Sequence, residues 1–339
     1  MTDGRPLVLL HPAPQKRERI FTAAAWQRLQ QQFTVVDVEA DPEGFHAALP
    51  EAFAIVGQPD LPTEVLHQAG RLKAIVNVEG NFFSNVDYPT AFARGVRVLG
   101  CGPAYAQPVA EFALAMALDL ARGITREDRA ARQGRETYVS AGNTDAILLR
   151  HASVGILGYG NLGRALHPLL QPFQPTIRVH DPWLPDAVLR DAGLQPATLA
   201  ETLRHAQFLF VLATATAESE HLLDRSTLGL LPDQARVVLV SRAHVADYDA
   251  VLEFVRAGRL VAGIDVWPEE PIPTDSPFRD EEGVIISGHR AGGIPEAFFS
   301  IGDMVCDDLE LMAQGLPPVR LQPAAPELVG RYRNRPVSS

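Results

Sequence analysis

The chain has 339 residues, a formal net charge of -11 at pH 7, 46% hydrophobic and 21% charged residues, which is length enough for two ordinary domains, each with its own core. The surplus of acid disfavours a nucleic-acid backbone as partner, and no apolar run reaches the length of a bilayer span. With only Cys101 and Cys306 no disulfide framework is expected, the N-terminal residues lack the layout of a signal peptide, and a cytoplasmic protein with a small-molecule ligand is the expectation.

Short apolar runs at residues 8–10, 34–38, 52–56, 74–78 and 96–99 alternate with stretches of helical spacing, which predicts a parallel, doubly wound sheet of flavodoxin-like type in the first hundred residues. Gly102-Pro103 breaks that pattern. Residues 109–122 read as a long, Ala-rich apolar helix and residues 124–150 as a polar arm without clear assignment; helix and arm together suggest a homodimer contact. A second series follows at residues 154–157, 177–180, 208–212, 237–240, 261–264 and 284–287, six parallel strands that make a complete dinucleotide fold. Ala291-Gly292-Gly293-Ile294-Pro295 reads as a hinge, residues 296–312 as a helix returning to the first domain, and the tail from Pro317, with the basic run 331–335, as a surface extension. The predicted architecture is α/β with two doubly wound domains: a flavodoxin-like substrate domain over 1–104 and 294–339, and an inserted Rossmann domain over 105–293 that includes the dimer helix and arm.

The first strand of the second series runs into Gly158-Tyr159-Gly160-Asn161-Leu162-Gly163. Glycine is needed at Gly158 for a sharp turn, at Gly160 for close approach of the backbone to a pyrophosphate, and at Gly163 so that the helix sits close on its strand. The helix N-terminus then faces the phosphates with unpaired N–H groups. The next strand ends at Asp181, about twenty residues past the glycines, where a carboxylate binds a ribose 2′-OH. In an open α/β sheet a ligand lies beyond the carboxyl ends of the strands, and Ser241-Arg242, Asp265, Glu270 and His289 all come after strands on that edge. A guanidinium that grips a carboxylate and an imidazole that takes a hydroxyl proton suit oxidation of an alcohol beside a carboxylate; a contact from Glu270 would favour imidazolium and hold one tautomer. Taken singly, each of these residues also fits an ordinary solvated or turn-forming role. The ten histidines show no ligand spacing, so no metal is expected.

These motifs, in this order over nearly the whole chain, resemble the D-isomer-specific 2-hydroxyacid dehydrogenase family. Ala262-Gly263-Ile264-Asp265-Val266-Trp267-Pro268-Glu269-Glu270-Pro271 is similar to its G-x-D-V-F-x-x-E-P segment, and Ser287-Gly288-His289 stands in the place of its Thr-Pro-His. The resemblance implies an NAD-dependent enzyme moving hydride between nicotinamide and C2 of a small D-2-hydroxy or 2-keto acid. Arg242 would bind the substrate carboxylate, Glu270 would pair with His289, Asp265 would hold the nicotinamide carboxamide, and Asp181-Pro182 implies NAD over NADP. Thr214 and Ser241 fall beside the cofactor, and the loop from Glu79 to Asp87, with Gly80 at the substrate, would offer the backbone N–H groups of Asn81 and Phe82 to the substrate carboxylate.

Ala243, Gly288 and Thr214 replace the family's glycine, proline and proline, and Phe82 and Ser84 its glycine and aspartate. At least one of Phe82 and Phe83 is expected to face the ligand. The alternatives are a phosphoglycerate dehydrogenase lacking a regulatory domain, for which no basic cluster in the loop announces a phosphate, and an NAD(H)-sensing protein of corepressor type.

Overall fold

The computed structural model describes residues 4–333. One unit holds the described residues up to Tyr105 together with those from Gly293 onward; the other is Ala106–Gly292.

In the first unit, β1 (Leu7–His11), β2 (Thr34–Asp37), β3 (Ala52–Gly57), β4 (Ala74–Asn77) and β5 (Arg97–Gly100) lie in the order β5-β4-β3-β1-β2, all parallel. This is the flavodoxin-like order. The strands are near-continuous apolar runs because helices cover both faces: Val8, Leu10, Val56 and Val76 pack on one side with Leu29, Ile301 and Val305, and Leu9, Ile55 and Ile75 on the other with Leu49, Leu66 and Ala91.

In the second unit, β6 (Ser153–Leu157), β7 (Thr176–His180), β8 (Gln195–Pro196), β9 (Phe208–Val211), β10 (Ala235–Leu239), β11 (Leu260–Ile264) and β12 (Val284–Ile286) form a parallel sheet in the order β12-β11-β10-β9-β6-β7-β8. The six strands β8-β7-β6-β9-β10-β11 reproduce the dinucleotide-binding order, with β12 as a seventh strand beyond it. The sequence reading misses β8, which is two residues long and carries a proline that an edge position tolerates. Helix Gly102–Arg122 begins seven residues before its expected start, because a proline in the first turn lacks only an N–H that has no intrahelical partner there. Its residues Val109, Ala110, Ala113, Met116, Ala117 and Ala121 recur at helical spacing and enter one core with Val154, Phe208 and Val238. The arm beyond it forms a helix over Ile124–Arg132 and a short turn over Val139–Gly142.

The tail is not a loose extension of the surface. Gln322–Pro323 forms β13, antiparallel to β5, and Leu321 and Ala324 are buried. The cause lies in helix Pro295–Ala313, where the buried Asp308 carboxylate accepts the N–H groups of Val319 (2.9 Å), Arg320 (3.0 Å) and Leu321 (2.7 Å). One charge satisfied by three amides holds the chain against the sheet edge. Of the basic run 331–335, residues 334 and 335 lie outside the described residues. No helix among the described residues is long and apolar enough to cross a membrane.

Candidate active site

The dinucleotide turn leaves β6 through Gly158, whose φ of +89° is left-handed and where a Cβ would stand 2.8 Å from the Ala213 Cα. At Gly163 a Cβ would meet the Gly158 carbonyl oxygen at 2.8 Å, while at Gly160 it would meet nothing within 4 Å. Two glycines are therefore required by packing and the middle one leaves open room beside the backbone. That space lies at the start of helix Asn161–Leu170, for which Gly160 is the N-cap, and it fits a pyrophosphate. Tyr159 is buried, its hydroxyl 3.0 Å from His167 Nδ1, and Leu162 packs against the core beneath the sheet.

Asp181 comes directly after β7. Its Oδ2 accepts the Tyr159 N–H at 2.7 Å and its Oδ1 the Trp183 N–H at 3.0 Å, so the carboxylate is aimed beside the glycine turn; Pro182 is exposed. Thr214 is exposed after β9, its carbonyl accepting the Ser219 hydroxyl at 2.8 Å. Ser241 is buried after β10 with its Oγ unpartnered. Arg242 is half-buried in extended conformation and its guanidinium donates to the Ser241 carbonyl at 2.6 Å.

His289 Nδ1 and Glu270 Oε2 are 2.8 Å apart, with side chains 24% and 27% exposed, sheltered yet reachable by a ligand. Glu270 Oε1 accepts the Trp267 backbone N–H at 3.0 Å. Burial of Glu270 pushes its carboxyl up, but the bonds from His289 and Trp267 and the charges of His289 and Arg242 outweigh it and leave it below the ordinary 4.5. Glu270 is therefore an anion at neutral pH, and Arg242 is close enough for its charge to bear on the pair.

Asp265 is nearly fully buried and faces the histidine turn: its carboxylate accepts the Ser287 hydroxyl (2.5 Å) and the N–H groups of Arg290 (3.0 Å) and Ala291 (3.0 Å), and its carbonyl accepts the His289 N–H (2.6 Å). These bonds brace His289 at a φ of +49°, a conformation costly for a residue with a Cβ. Asp265 thus acts first as a brace of the loop; any bond to a nicotinamide carboxamide falls to what acceptor capacity remains.

In the first unit the loop after β4 departs from expectation. Phe82 and Phe83 are both buried. Phe82 joins the core with Tyr88, Val98 and Ala324, its ring 5.8 Å from that of Tyr332 and within 3.3 Å of where a Gly100 Cβ would be. The Phe83 carbonyl accepts the Tyr88 hydroxyl at 2.7 Å. An aromatic facing the ligand is thus replaced by one anchoring the loop, because apolar surface here gains more from the core than from solvent. Gly80 and Asn81 stay half-buried, Gly80 against the Tyr105 ring. Among the described residues no group of three or more His, Cys, Asp or Glu could hold a metal ion. Trp267 is the member of the site that reading the sequence overlooks, and only its place three residues before Glu270 hints at it.

Residues 114–291, more than half of the chain, match the family described as D-isomer specific 2-hydroxyacid dehydrogenase, NAD binding domain. The chain belongs to that family. It is similar to the crystal structure of a phosphoglycerate oxidoreductase from Rhizobium etli, with 41% identity, 95% of this chain and 99% of that one covered, and a TM-score of 0.86. It is 27% identical to the D-3-phosphoglycerate dehydrogenase of Archaeoglobus fulgidus over 79% of this chain and 50% of the relative, and 27% identical to the glyoxylate reductase of Aeropyrum pernix over 76% and 78%. The chain thus spans about half the length of the phosphoglycerate dehydrogenases it matches.

Proposed function

We propose that this protein is an NAD-dependent oxidoreductase that transfers hydride between nicotinamide and C2 of a small D-2-hydroxy acid or 2-keto acid. The observation that carries the reading is the Glu270–His289 hydrogen bond at 2.8 Å, with Arg242 near enough to act on it, at the strand ends that also carry the glycine turn. When bound, reduced nicotinamide supplies the hydride that adds to C2. Arg242 grips the substrate carboxylate through its fork of donors. His289 gives its proton to the carbonyl oxygen as C2 is reduced, and takes it back in the oxidative direction. Glu270 holds the imidazole in one tautomer and offsets the charge of its protonated form.

Asp181 supports NAD over NADP: its carboxylate suits a ribose 2′-OH and repels a 2′-phosphate, and the stretch from Asp181 to Asp186 contains a second acid and no base. A homodimer is supported by Ile124, Tyr138, Val139 and Leu148, large apolar side chains exposed within one short stretch of the second unit. Two buried, unpaired cysteines suit the cytoplasm.

The test is NADH oxidation against a panel from glyoxylate and pyruvate to larger and phosphorylated 2-keto acids, with NADPH alongside. Turnover that His289→Gln lowers by roughly 10²–10⁴-fold, with NADH binding retained, is the expected result; undiminished turnover in that variant would sink the assignment. A phosphorylated substrate is the second reading, favoured by the 41% identity to a phosphoglycerate oxidoreductase, and preference for the phosphorylated member of the panel decides it.

A further inference from the structure

Trp267 bonds Glu270 directly and, through a different atom, the turn that carries His289. Its backbone N–H donates to Glu270 Oε1 at 3.0 Å, and its indole Nε1–H donates to the Ser287 carbonyl at 2.7 Å, two residues before His289. The indole is itself held: it is 6% exposed and lies against Tyr248 (5.8 Å, 54°) and Phe278 (5.4 Å, 72°), while the Tyr248 hydroxyl donates to the Val266 carbonyl.

Between Ser287 and His289 stands Gly288, where packing does not call for glycine. A Cβ there would meet nothing within 4 Å, and its φ is outside the left-handed region. Glycine at such a position adds conformational freedom without relieving a clash, next to a histidine held at φ +49°.

We propose that Trp267 is a positioning residue for the Glu270–His289 pair: its indole N–H fixes the Ser287–His289 turn against the freedom that Gly288 confers, and its backbone N–H aims the Glu270 carboxylate. Phenylalanine would fill the same aromatic pocket but could not make the indole bond. The effect on turnover rests on His289 acting as the proton donor proposed above; the effect on the turn itself does not.

The experiment compares the wild-type protein, Trp267→Phe, and Trp267→Phe combined with Gly288→Pro, in which the ring of proline replaces the lost tie by restricting the backbone. Two readouts are taken: kcat and KM for whichever 2-keto acid is reduced fastest, and hydrogen exchange of the His289, Arg290 and Ala291 amides, which all donate to Asp265. The expected result for Trp267→Phe is a kcat lowered roughly fivefold, the loss of one neutral hydrogen bond, with KM and NADH affinity within about twofold and faster exchange at those amides. Adding Gly288→Pro restores both. Unchanged kcat and exchange in Trp267→Phe overturn the proposal, as does a loss that Gly288→Pro fails to recover. If the wild-type protein reduces no 2-keto acid, the enzymatic reading fails, and the exchange data alone decide whether Trp267 holds the turn.

Discussion

His289 Nδ1 lies one hydrogen bond, 2.8 Å, from Glu270 Oε2, and the other oxygen of that carboxylate is occupied by the Trp267 amide. Bonds to both oxygens orient the carboxylate toward the imidazole. Glu270→Gln keeps the size but can present an amide N–H₂ to the ring, so kcat/KM is expected to fall roughly 10–100-fold, the worth of a charged hydrogen bond, measured by steady-state kinetics at pH 7.

The pH dependence of stability comes from the same carboxylate. Because its folded value lies below the ordinary 4.5, its contribution is fully present above that value and is lost as pH falls through the lower, folded one. The difference in melting temperature between the wild-type protein and Glu270→Gln should therefore persist at neutral pH and shrink below about pH 4.5. A difference that grew on acidification would contradict the assignment of Glu270 as the anion.

Arg242 is predicted to act on substrate affinity. Arg242→Ala should raise KM for the 2-keto acid, with a loss in kcat/KM of roughly tenfold or more, while NADH binding, followed by fluorescence titration, stays unchanged.

Asp181 bonds two backbone amides besides its expected partner on the cofactor. Asp181→Ala is predicted to weaken NADH roughly tenfold or more and to narrow the gap between NADH and NADPH, since the repelling charge is gone. Equal loss for both cofactors would argue that the residue only shapes the turn.

At Gly163 an added methyl collides with backbone, 2.8 Å from the Gly158 carbonyl oxygen, and backbone cannot swing aside as a side chain can. Gly163→Ala should cost about 1–3 kcal/mol of stability and weaken NADH binding; Gly160→Ala, which meets nothing within 4 Å, should retain the stability and lose only cofactor affinity. Denaturant unfolding with and without NADH separates the two.

The few large apolar side chains exposed on the polar arm predict their own outcome. In the proposed homodimer these exposed side chains lie between copies, where a charge is costly, so Val139→Glu or Leu148→Glu is expected to shift sedimentation from dimer to monomer without altering the far-ultraviolet circular dichroism; a sedimentation coefficient that does not change would contradict the proposed contact.

The order of residues alone dictates the two parallel sheets, because strands buried on both faces are written as apolar runs and the segments between them carry helical spacing. It also determined the dinucleotide turn, whose three glycines answer to local geometry, and it set Arg242, Asp265, Glu270 and His289 at one sheet edge, since parallel strands all deliver the residues after them to the same side. Features that depend on partners distant in the chain were not legible. β8 and β13 are two residues each and exist only because an edge strand of the sheet accepts them; the buried Asp308 turned an apparent surface tail into part of the first unit. The expectation that at least one of Phe82 and Phe83 faces a ligand fails because both are buried, Phe82 in the core around Val98 and Ala324. The bond between Glu270 and His289, the bracing of the histidine turn by Asp265 and the double hold of Trp267 were decided by tertiary structure alone, because a hydrogen bond forms only within about 3 Å and that separation is set by packing, not by spacing along the chain.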